Sequence, residues 1–129
     1  MKLLRIFLVV IFGLLLFMKQ EKSYSQTNIS AIGKAIEQND PEKLGTYMAS
    51  NILLTINGNE NNTVPTEAVK MLTTFFENNP PQKVTIKHNG NSSDGSKYAI
   101  GEMRTSNETL RTYMVFENDE LVELCFDKE

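Results

Sequence analysis

The sequence predicts an α+β domain in which helices pack on one side of a curved antiparallel sheet. Three observations carry this. Apolar residues recur at helical spacing in the first half, as at Ile29, Ile32 and Ile36 and again at Ala68, Leu72, Phe75 and Phe76. In the second half they alternate at strand spacing, with Asn107-Glu108 and Asn118-Asp119 placed where tight hairpin turns belong. The chain has 129 residues, 40% of them hydrophobic and 22% charged, which suits one globular domain and leaves no length for a second.

The first segment stands apart from that domain. Lys2 and Arg5 precede Ile6 to Met18, a run of 13 uncharged and almost wholly apolar residues, and Lys19, Glu21 and Lys22 end it. A secretory signal has an apolar stretch of roughly 7 to 15 residues, whereas a bilayer span needs about 20. Ser23 and Ser25 supply the small residues a signal peptidase requires. Residues 1–25 are therefore expected to be a cleaved signal peptide and residues 26–129 a single exported domain, periplasmic or secreted, without a stable membrane anchor after cleavage.

The expected elements follow in order. Ile29 to Ile36 forms a first helix, Asn39-Asp40-Pro41 interrupts it, and Leu44, Tyr47 and Met48 resume the helical pattern. Asn51 to Asn57 alternates, with Ile52, Leu54 and Ile56 on one face, and Gly58 to Asn62 reads as a polar loop. Pro65 suits the first turn of a third helix, which Asn78-Asn79-Pro80-Pro81 stops. A strand over Gln82 to Asn89 then opens a four-strand meander. With two-residue turns, Glu102 faces Tyr113, Ile100 faces Val115 and Val115 faces Val122.

In that register Tyr98, Ile100, Glu102 and Arg104 share a face with Tyr113, Val115, Val122, Leu124 and Phe126. This face is expected to meet the helices and to curve into a cone. The opposite face carries Ala99, Gly101, Met103, Leu110, Thr112, Met114, Phe116 and Leu121. It predicts either an exposed apolar patch that supports a homodimer through the sheet, or a face wrapped by one end of the sheet or by the first helix.

Removal of residues 1–25 takes away four of the 13 basic and one of the 16 acidic side chains and leaves a net charge near −6. Such a surface repels phosphates, and Lys83, Lys87, Lys97, Arg104 and Arg111 form no continuous basic run, so no nucleic-acid partner is expected. Cys125 is the one cysteine, so the fold depends on its hydrophobic core.

The element order, together with Phe75-Phe76-Glu77-Asn78-Asn79-Pro80-Pro81, Gly95-Ser96-Lys97-Tyr98-Ala99-Ile100-Gly101 and Thr105-Ser106-Asn107, resembles a family of small exported bacterial proteins of unknown function. That family belongs to the nuclear transport factor 2-like superfamily, also called cystatin-like. The resemblance spans roughly residues 27 to 128 and implies the cone-shaped fold. The superfamily includes ketosteroid isomerase, dehydratases and polyketide cyclases as well as noncatalytic binding and dimerisation modules, so it implies no particular chemistry and transfers no functional residue.

The residues themselves offer two readings. His88 continues the Val84, Ile86 alternation, which places it on the expected core face near Tyr98 as a structural imidazole or a ligand contact. A cavity between the third helix and the sheet, lined by Tyr47, Phe76, His88, Tyr98, Glu102 and Tyr113, is the candidate site for a small apolar ligand in a noncatalytic binding or dimerisation module. Alternatively, Glu102 acts as general base and Tyr113 as oxyanion donor in an isomerase- or dehydratase-like enzyme, unless Arg104 or Arg111 pairs with Glu102. Leu54, Ile56, Phe75 and Phe76 could also fill the cone completely.

No cofactor is expected, because one His and one Cys cannot assemble a metal cluster and Gly90, Gly95 and Gly101 form no phosphate loop. None of Ser92, Ser93, Ser96 and Ser106 sits in a nucleophile elbow. Cys125 alternates with Leu124 and Phe126, which assigns it to the other face as a packing or interface residue.

Overall fold

The computed structural model describes residues 24–129. The signal segment expected over residues 1–25 lies outside them but for Tyr24 and Ser25, which open the first helix. Three helices, α1 (Tyr24–Glu37), α2 (Pro41–Tyr47) and α3 (Pro65–Asn78), pack on a curved, unclosed sheet of six strands. The strands are β1 (Met48–Ile56), β2 (Asn59–Thr63), β3 (Pro81–Asn91), β4 (Lys97–Thr105), β5 (Thr109–Glu117) and β6 (Glu120–Lys128). They lie in the order β2-β1-β6-β5-β4-β3; β1 runs parallel to β6 and every other pair is antiparallel.

Local chemistry explains the boundaries. Asn39 takes a positive φ of 53° just past α1, and the Asp40 and Asn39 amides return to the Ala35 and Ile36 carbonyls, a cap in which Asn substitutes for Gly. Asp40 then caps α2 by accepting from the Lys43 amide at 3.1 Å. Pro65 occupies the first turn of α3, where its missing N–H is not needed. Glu37 accepts from the Val84 amide at 2.8 Å, so the end of α1 caps a backbone donor on the outermost strand, β3.

β2 was not expected as a strand, for Asn59-Glu60-Asn61-Asn62-Thr63 contains no apolar residue. Its register comes from the turn before it. Asn57 and Gly58 both have positive φ, 51° and 84°, which matches the right-handed twist of a two-residue hairpin. Asn118 and Asp119 form the β5–β6 turn in the same way, as expected. The β4–β5 turn comes one residue earlier than expected, at Ser106-Asn107. There the Thr105 hydroxyl accepts from the Asn107 and Glu108 amides and donates to the Glu108 carbonyl. Glu102 therefore pairs with Arg111, and Ile100 with Tyr113.

The sheet faces are the reverse of the expectation. Met103, Leu110, Met114 and Leu121 are wholly buried, and Ala99 and Phe116 nearly so, in one core with Ile32, Ile36, Leu44, Leu72 and Phe76. The surface expected to support a homodimer through the sheet is thus the one that the helices cover. Within the sheet, β3 and β4 approach closely at one glycine of this face. At Gly101 a Cβ would stand 2.5 Å from the Thr85 carbonyl oxygen, so no larger residue fits between the strands. Phe75, Phe76 and Phe126 pack against one another in the core with ring centroids 5.3 to 5.8 Å apart.

Two irregularities in register account for the reversal. One falls between Ile86 and His88, so Val84 and Ile86 pack on the core while His88 turns to the other face. The second, beside Val122, puts Leu121 on the same side as Leu124 and Phe126. Bulges of this kind bend a strand and re-aim a side chain.

The Thr112 hydroxyl is buried in the core with no hydrogen-bond partner. Since an unpaired buried hydroxyl carries its desolvation cost uncompensated, Thr112→Val is expected to raise stability by about 1 kcal/mol. A thermal melt checks this; a fall in midpoint would show that the hydroxyl has a partner in solution.

Candidate functional site

Four of the six residues expected to line a cone cavity come together, but on the helix-free face. His88 Nε2 and Tyr98 Oη share a hydrogen bond of 3.0 Å, with the rings 5.6 Å apart. Tyr113 pairs across β4–β5 with Ile100, and Glu102 is its diagonal neighbour. Phe76 is buried at the centre of the core, and Tyr47 packs against that core from the end of α2. The cavity expected between the third helix and the sheet therefore cannot hold all six. Phe76 and Tyr47 stay with the helices, and the register shift between Ile86 and His88 brings His88 to the side of Tyr98, Glu102 and Tyr113.

Glu102 stands 3.4 Å from the Lys87 ammonium, so the partner is neither Arg104 nor Arg111. Its side chain is 32% exposed. Glu102 lies on the open, helix-free face beside a cation.

Beyond Tyr113 the same face descends into a depression of about 430 Å³. Leu53, Val115 and Val122 form its apolar part, Tyr113 supplies a phenol, and Asn51 and Asn62 add side-chain amides. Asp94, Glu117 and Glu123 bring carboxylates from the β3–β4 loop, β5 and β6. The register shift beside Val122 matters here, because it leaves Val122 and Glu123, consecutive in sequence, both lining the depression. The loop that closes one side is fixed by Asp94, which accepts from the Ser96 amide at 2.9 Å and the Ser96 hydroxyl at 2.7 Å. The hydroxyl's hydrogen bond, followed by the amide's, holds the Asp94 carboxyl below its ordinary value.

Cys125 faces the helix-free side, paired with Tyr113 and Thr55. Burial raises its thiol pKa, and the charges of Asp127, Glu123 and Glu60 raise it further, which disfavours the reactive thiolate.

Sequence reasoning missed the depression because its residues come from five separate segments. The one local sign, the Val122-Glu123 bulge, has no signature in residue type.

A sequence model of a domain of unknown function, DUF4783, matches residues 29–123, most of the chain. The chain belongs to the DUF4783 family. A DUF4783 protein from Bacteroides fragilis of known crystal structure superposes with a TM-score of 0.69 at 20% identity, covering 77% of this chain and 96% of that one. A cystatin-fold protein from Novosphingobium aromaticivorans gives 0.61 at 14% identity over 82% and 99% of the two chains. A candidate polyketide cyclase from Sinorhizobium meliloti gives 0.63 at 10% identity over 78% and 94%, and further matches are described as NTF2-like proteins of unknown function. No curated protein matches the chain significantly. These likenesses establish a cystatin-like, NTF2-like fold for this DUF4783 domain.

Proposed function

We propose that this DUF4783 protein is an exported, noncatalytic binding module that works through the helix-free face of its sheet. The observation that carries the reading is the position of that face. His88, Tyr98, Glu102 and Tyr113 meet there beside a depression, while on the helix side Phe75, Phe76 and Phe126 pack together in the core. A partner is either a small molecule seated in the depression or a second copy laid against the same face, where Ile100, Tyr113 and Val115 are half-buried.

Native mass spectrometry of the protein, purified gently after processing by a bacterial host, tests this. The expected result is a mass that begins at Gln26, with either a noncovalently retained ligand or a dimer. A ligand-free monomer that still starts at Met1 would contradict both export and binding.

The openness of the face around Glu102, which stands beside the Lys87 ammonium, supports the noncatalytic reading, since the face does not enclose a reacting group away from water. Glu102→Gln is expected to change stability by no more than about 0.5 kcal/mol, the range of an exposed pair. Loss of a measurable turnover in that variant would support the isomerase-like alternative with Tyr113 as donor.

A further inference from the structure

We infer that the helix-free face binds a second copy of this chain, about a two-fold axis that crosses β5 beside Met114. The inference rests on the reading of that face as the working surface and names its partner.

Charge on this face changes sign along the strands. At one end Lys83 on β3, Arg104 on β4 and Arg111 on β5 are exposed, with Lys83 and Arg104 paired in register. Glu102 and Asp127 flank Arg111 and offset part of this positive charge, although Glu102 is held by Lys87 at 3.4 Å. The other end is acidic, with Glu117 on β5 and Glu123 on β6. Arg111 and Glu117 stand on one strand about 20 Å apart at the ordinary rise per residue, too far to pair within a chain and well beyond the screening length of about 8 Å. Among the described residues the ion pairs join Lys70 to Glu67, Lys87 to Glu102 and Lys97 to Asp119, so neither Arg111 nor Glu117 is engaged.

A two-fold axis that lies between two facing sheets and crosses their strands at right angles sets each end of one face against the opposite end of the other. Met114 lies midway between Arg111 and Glu117, and also between Tyr113 and Val115. An axis at that level places Arg111 against the partner's Glu117 and Tyr113 against the partner's Val115, and symmetry repeats both contacts. Ile100, Tyr113 and Val115, all half-buried, then form an apolar centre with charges at its rims, as protein interfaces are built. An axis along β5 would instead oppose Arg111 to Arg111 and Glu117 to Glu117, which like-charge repulsion disfavours. The face is also large enough. Six strands about 4.8 Å apart, the central ones nine residues long at about 3.4 Å each, span roughly 700 Å². A standard interface buries about 800 Å² on each partner.

The test measures dimer dissociation by native mass spectrometry for the wild type, Arg111→Glu and Glu117→Arg, each alone and the two variants mixed. Both positions are exposed, so both variants are expected to keep the wild-type circular dichroism spectrum. The wild type is expected to dimerise, and each variant alone at least about tenfold more weakly, because like charges then meet at both symmetric contacts. In the equimolar mixture every such contact again joins opposite charges, and a heterodimer of wild-type affinity is expected.

Variants that dimerise as tightly as the wild type, or a mixture that restores no dimer, would overturn the inference. If Val115→Lys abolishes the same wild-type dimer, the helix-free face stands and only the placement of the axis is wrong. A wild-type monomer that retains a ligand overturns the second copy as partner and leaves the binding face in place, whereas a ligand-free monomer overturns both.

Discussion

Met114→Lys is expected to unfold the protein, whereas Val115→Lys, one residue along the same strand, is expected to leave it folded. Met114 is 0% exposed in the core beneath the helices, and Val115 sits half-buried on the helix-free face. An ammonium group forced into an apolar interior costs several kcal/mol even after relaxation, a large part of the roughly 5 to 15 kcal/mol that holds a domain together. At Val115 the lysine stem can lie along the sheet and keep its charge in water. Far-ultraviolet circular dichroism with a thermal melt distinguishes the two. A folded Met114→Lys protein alongside an unfolded Val115→Lys protein would restore the opposite assignment of the faces.

Phe76→Ala is expected to cost about 3 to 5 kcal/mol, because it removes a wholly buried ring and the edge-on contact with Phe126 at 5.8 Å. In a domain of this size each kcal/mol moves the melting temperature by roughly 4 to 8 °C, so the midpoint should fall by more than about 12 °C. Chemical denaturation gives the same quantity independently. A loss below about 1 kcal/mol would mean that Phe76 borders a void, and the cone cavity expected from sequence would return as a site.

Elements with a strong periodic signal were legible in the residues alone. Ile32, Ile36, Leu72 and Phe76 lie where helical spacing placed them, and Ile52 and Leu54 where strand alternation did. Asn118-Asp119 makes its turn with two positive φ angles. The polar strand β2 escaped notice because its pairing depends on the Asn57-Gly58 turn rather than on apolar alternation, although that dipeptide is itself a hairpin signal.

The sheet faces escaped for a different reason. Both carry large apolar residues, so alternation alone could not say which one meets the helices. Joining Val122 to Leu124 and Phe126 in one unbroken alternation assigned the core to the side of Tyr113 and Val115. A single extra residue in β6 undoes that chain of inference, and another near Lys87 does the same to His88. Of the candidate site, the grouping of His88, Tyr98, Glu102 and Tyr113 was within reach of the sequence. Its location was not, and neither was the depression beside it.

The working surface is tested by comparing wild-type protein with Val115→Lys by native mass spectrometry, both prepared in parallel from the same bacterial host. If the helix-free face is the working surface, the wild type carries a retained ligand or forms a dimer, and the folded Val115→Lys protein appears bare and monomeric. A ligand or dimer that survives unchanged in Val115→Lys would contradict the account and place the binding surface elsewhere on the domain.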